Sequence, residues 1–156
     1  ILRTLKRKSE LTMIKLPDST IYRLCEEIER HYPNAHFFVT GDASGDVKTT
    51  MSNLHNYDVI KSYFRLSDTQ MQYSISNPRL KDSRMLCNSL LEKYPFVVDE
   101  VNCKPFIDDA KQCKANSDNT IVKDNRNKEA QQADTLDTFR YYLHRYFVNF
   151  MSFFAS

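Results

Sequence analysis

The sequence predicts an α/β domain, with a mixed sheet of about five strands flanked by helices. Three observations predict it. Short apolar runs alternate along the chain with segments of helical period. The first two runs flank a short glycine-bounded turn and read as an antiparallel hairpin, whereas later runs are separated by helices that suit parallel crossovers. The 156 residues are 41% hydrophobic and 27% charged, which suits one packed core rather than a disordered chain.

Each element has its own local signal. Residues 1–16 are basic at the front (Arg3, Lys6, Arg7, Lys8) and read as a linker or N-terminal extension, leaving residues 17–156 as the domain. Pro17-Asp18-Ser19-Thr20 opens a helix whose apolar positions are Ile21, Leu24, Cys25 and Ile28, and Pro33 bounds it. His36 to Thr40 is largely apolar and predicts a central strand buried on both faces. Residues 47–54 predict its hairpin partner. Asn56 to Phe64 predicts a helix and Met71 to Ser76 a short strand. Asn77-Pro78 introduces a helix carrying Leu80, Leu86, Leu90 and Leu91, which Pro95 ends. Phe96-Val97-Val98 predicts another strand, Pro105 to Lys114 a short helix, and Thr120 to Lys123 a last strand in a polar stretch. A long final helix is expected from Gln131 to about Phe154, with Leu136, Phe139, Leu143, Phe147 and Phe150 on one face.

Composition excludes several functions. Gly41 and Gly45 are the only glycines, too few for a dinucleotide fingerprint, and Gly45 is followed by Asp46-Val47-Lys48 rather than a phosphate-loop Lys-Ser/Thr. Cys25, Cys87, Cys103 and Cys113 form no Cys-x-x-Cys pair, which argues against a zinc knuckle and for thiols in a reducing compartment. No apolar run is long enough to span a membrane. Lys plus Arg is 22 against 20 for Asp plus Glu, a formal charge of +2, so nucleic acid is not announced by net charge.

The acids are more informative. Asp42 follows an apolar run and lies inside Gly41-Asp42-Ala43-Ser44-Gly45, where two small residues let backbone approach a neighbour closely. Asp99 and Glu100 end another apolar run. Asp134 and Asp137 are one helical turn apart. Carboxylates are the ligands of hard divalent cations. Two such ions roughly 3.5–4 Å apart support in-line phosphodiester hydrolysis. Each acid also has a structural reading: Asp42 as a turn former, Asp99 as a helix opener, Asp134 as a first-turn acid favoured by the helix dipole.

The ordered series resembles a family. Phe37-Phe38-Val39-Thr40-Gly41-Asp42-Ala43-Ser44-Gly45 looks like the first acidic motif of the nuclease domain of tailed-phage large terminases, an RNase H-like family. Asn56 to Ile60, then Asn77-Pro78 with Asp82-Ser83-Arg84 and Asn88, look like its following segments. Val97-Val98-Asp99 with Ile107-Asp108-Asp109 looks like its second acidic strand and the helix behind it. Ala133-Asp134-Thr135-Leu136-Asp137-Thr138-Phe139-Arg140-Tyr141-Tyr142 looks like its C-terminal acidic helix. The resemblance runs from about residue 36 to residue 147.

It implies an RNase H-like fold and a divalent-metal-dependent endonuclease that cuts concatemeric double-stranded DNA during packaging. It implies two Mg²⁺ or Mn²⁺ ions on Asp42, Asp99 and Asp137, with Asp134 and Glu100 as further candidate ligands. Asp134 departs from the motif, where a His is often found. Partners on this resemblance are duplex DNA, the terminase ATPase domain in cis, the portal and the small terminase subunit, in the host cell cytoplasm during phage assembly and without a membrane. The basic start would be the stub of the interdomain linker. Lys48, Lys123, Arg126 and Lys128 are the candidate phosphate contacts, since cationic side chains position a duplex without reading its sequence. Rival readings are another RNase H-like enzyme of resolvase or transposase type, and a non-catalytic interaction domain of the same fold.

Overall fold

The computed structural model describes residues 2–5, 8–14, 16, 19–46, 54–113 and 134–149. They fall into two compact units, residues 14–77 and residues 1–13 with 78–156.

In the first unit, α1 (Ile21–His31) begins where Thr20 accepts a hydrogen bond from the Arg23 N–H at 3.3 Å. It ends at His31, two residues before Pro33, and Asn34 takes a left-handed φ of 59° that turns the chain. Its buried stripe centres on Cys25. This stripe packs against α2 (Asn56–Tyr63), whose buried residues are Tyr57 and Val59. The Tyr63 hydroxyl reaches across to Glu29 at 2.8 Å. Two short 3₁₀ turns, Ala43–Asp46 and Asp68–Gln70, complete the unit.

The second unit is built on α3 (Leu80–Lys93), α4 (Lys104–Gln112) and α5 (Asp134–Phe147). Leu86, Leu90, Cys103, Phe106, Phe139 and Leu143 form its core. Phe106 and Phe139 meet edge-to-face with centroids 5.2 Å apart. Buried Asp109 of α4 accepts hydrogen bonds from the Thr135 hydroxyl and, at 3.1 Å, from the Thr135 N–H. That satisfies one of the donors every helix leaves unpaired in its first turn. Within the N-terminal linker or extension, the described residues pair as an antiparallel hairpin: β1 (Leu2–Leu5) and β2 (Lys8–Leu11), with Leu2 opposite Leu11.

The expected RNase H-like mixed sheet of five strands is not what the chain forms. Among the described residues, regular strands are confined to the β1–β2 hairpin and the rest is chiefly helical. Val39 and Met71 form one isolated parallel bridge, with the Val39 N–H on the Gln70 carbonyl at 2.8 Å and the Gln72 N–H on the Val39 carbonyl at 2.6 Å. The pairing goes no further. Phe38, expected to be buried on both faces, is 55% exposed, and Val97 in the expected Phe96–Val98 strand is 88% exposed. The physical reason is that a strand exists only by pairing, and an apolar run of three to five residues does not name its partner. The helical expectations depend on local period and caps, and α1, α2, α3 and α4 form close to the expected ranges, while α5 forms over Asp134–Phe147 within an expected span of 131 to about 154 whose ends lie largely outside the described residues. The expected strands at 47–54 and 120–123 lie almost wholly outside the described residues.

Candidate functional site: the Asp42 turn

The Gly-Asp-Ala-Ser-Gly pentapeptide is held from three directions. Within the turn, the Ser44 N–H donates to Asp42 Oδ1 at 2.7 Å and the Gly45 N–H to the Asp42 carbonyl at 3.0 Å. From α2, the Tyr57 hydroxyl donates to the same carbonyl at 2.7 Å. From 35 residues downstream, Asn77 Nδ2 donates to Asp42 Oδ1 at 2.8 Å. The Ala43 N–H completes a closed pair by donating to Asn77 Oδ1 at 2.9 Å.

The glycines are explained by the Tyr57 ring. A Cβ on Gly45 would sit 2.7 Å from a ring carbon of Tyr57, and a Cβ on Gly41 would sit 2.7 Å from its hydroxyl oxygen. Tyr57 cannot easily retreat, because its ring stacks on Tyr73 with centroids 4.0 Å apart and planes 11° from parallel. Neither glycine has a positive φ, so close approach, not backbone freedom, is the reason for them.

The other acids sit in the second unit. Asp99 Oδ1 accepts from the Val101 and Asn102 N–H groups, both at 2.8 Å, and Oδ2 from Asn102 Nδ2 at 3.0 Å. The Asn102 backbone and side chain, with Val101, hold this carboxyl below the usual carboxylate range. This is the bonding of an acid that opens the turn into α4. Its neighbour Glu100 is exposed, with no hydrogen-bond or ion-pair partner among the described residues.

Asp137, on α5, receives Arg140 Nη2 at 3.0 Å, and Arg140 Nη1 donates to Ser83 Oγ at 2.7 Å. Arg140 is buried, and its Nε has no hydrogen-bond partner among the described residues. Asp134 is exposed at the start of the same helix. Lys48, Lys123, Arg126 and Lys128 lie outside the described residues.

Among the described residues, no group of three or more His, Cys, Asp or Glu side chains could hold a metal ion. At Asp42 the described residues offer a single carboxylate, one part of what a magnesium-type ion takes. Such ions keep several waters and take one or two carboxylates plus substrate phosphates. Metal-ligating carboxylates are in turn hydrogen-bonded, as Asp42 is by Ser44 and Asn77.

Sequence reasoning did not foresee the roles of Tyr57, Asn77, Asp109 or Arg140. All four lie in segments quoted for the resemblance, but nothing in those segments named the contacts they make. Among the described residues, no helix is long and apolar enough to cross a membrane. Comparison with protein-family models, curated proteins and solved structures finds no match for this chain.

Proposed function

We propose that this chain is a divalent-metal-dependent DNA endonuclease domain of the large-terminase type. The observation that carries the reading is the Asp42–Asn77 pair. Two segments that the motif series sets 35 residues apart meet in one hydrogen-bonded turn around a carboxylate. The reading rests on the ordered motifs and on that turn, with no appeal to a sheet.

Asp42 would hold the divalent ion, Mg²⁺ or Mn²⁺, which supplies water activation and leaving-oxygen stabilisation when bound. The chain's own contribution at this position is to fix the carboxylate. Ser44 and Asn77 both donate to one oxygen, and Tyr57 anchors the backbone beneath it. Of the adjacent pair Asp99 and Glu100, the turn into α4 engages both oxygens of Asp99. Glu100 is therefore the better ligand candidate of the two. The resemblance gives Asp137 a ligand role as well, and Arg140 Nη2 donates to its carboxylate from one turn on. On this reading the substrate is concatemeric double-stranded DNA, the ATPase domain acts in cis with portal and small subunit as partners, and the place is the infected host's cytoplasm.

The test is cleavage of supercoiled plasmid in Mn²⁺, Mg²⁺ or chelator, wild type beside D42N, D99N, E100Q and D137N. Metal-dependent nicking that D42N, E100Q and D137N each abolish is the expected result. Absence of both cleavage and a metal-induced rise in melting temperature would sink the reading in favour of a non-catalytic interaction domain.

A further inference from the structure

We draw no further inference here: the strongest candidate, the surface patch on the loop between α3 and α4 where Val97 and Val101 stand 88% and 86% exposed on either side of the Asp99 turn, is apolar and unpartnered, and nothing in the structure shows what covers it.

Discussion

Asp42 and Asp99 begin from similar sequence, an apolar run followed by an acid in a turn, and end in different surroundings. Asp99 is held by its neighbours Val101 and Asn102, two and three residues away. Asp42 has a local bond to Ser44 as well, but is also gripped by Asn77 from 35 residues away and backed by Tyr57 of α2. A local ring of N–H groups is what any helix-opening acid collects. A remote side chain aimed at one oxygen is not needed for that purpose. The contrast between these two carboxylates is one of reach: Asp99 is held within its own turn, Asp42 by its own turn and by a segment 35 residues away.

The largest expected effect tests that contrast directly. D42N should reduce Mn²⁺-dependent plasmid cleavage at least about 100-fold, with little change in melting temperature, since losing a ligand or catalytic charge commonly costs that much. D99N should do the reverse, retaining cleavage and lowering the melting temperature. A D99N protein that melts like wild type and cannot cut would break the comparison and return the ligand role to Asp99.

Asp137 sharpens the contrast, because its partner is a buried charge rather than an amide. Its side chain is 18% exposed and that of Arg140 is 9% exposed. R140A would remove the buried guanidinium that bridges Asp137 and Ser83, and should destabilise the second unit by about 3 kcal/mol, read by urea titration. A loss under about 1 kcal/mol would mean that solvent reaches the pair freely.

A smaller effect is expected at Gly45. The Cβ of G45A would press on the Tyr57 ring, which Tyr73 backs. The cost should be about 1–3 kcal/mol, typical of an overpacked site. In a Y57A background the cost of G45A should shrink, and an unchanged cost would show that the ring is not the obstacle.

The smallest effect is a pH dependence at Asp99. Its carboxyl is held low in the folded chain by Asn102 and Val101, so the folded state binds the proton less readily than the unfolded one. The stability this contributes is fully present above the ordinary aspartate value of about 4 and is lost as pH falls through the lower folded value. D99N should flatten that acid limb of the melting-temperature profile, and an unchanged limb would remove Asp99 as its source.

What could be read in advance divides along the same line as the two aspartates. Helix α1 closing before Pro33, α3 ending before Pro95, and the apolar stripe of Leu136, Phe139 and Leu143 on α5 were legible in the sequence. Each depends on groups within a turn or two of one another, where spacing and capping chemistry act directly. The need for small residues at 41 and 45 was legible too, although the ring that requires them was not.

The sheet was misread because three-to-five-residue apolar runs carry no record of what they pair with. The pairings that give the candidate site its character span far longer separations: 35 residues for Asn77 with Asp42, 26 for Thr135 with Asp109 and 57 for Arg140 with Ser83. By itself the sequence determined the helices, their ends and the chemistry on offer at each turn. Only the tertiary structure decided which acid is gripped from afar and which is held by its neighbours, because that depends on how the chain closes on itself, and residue spacing does not encode it.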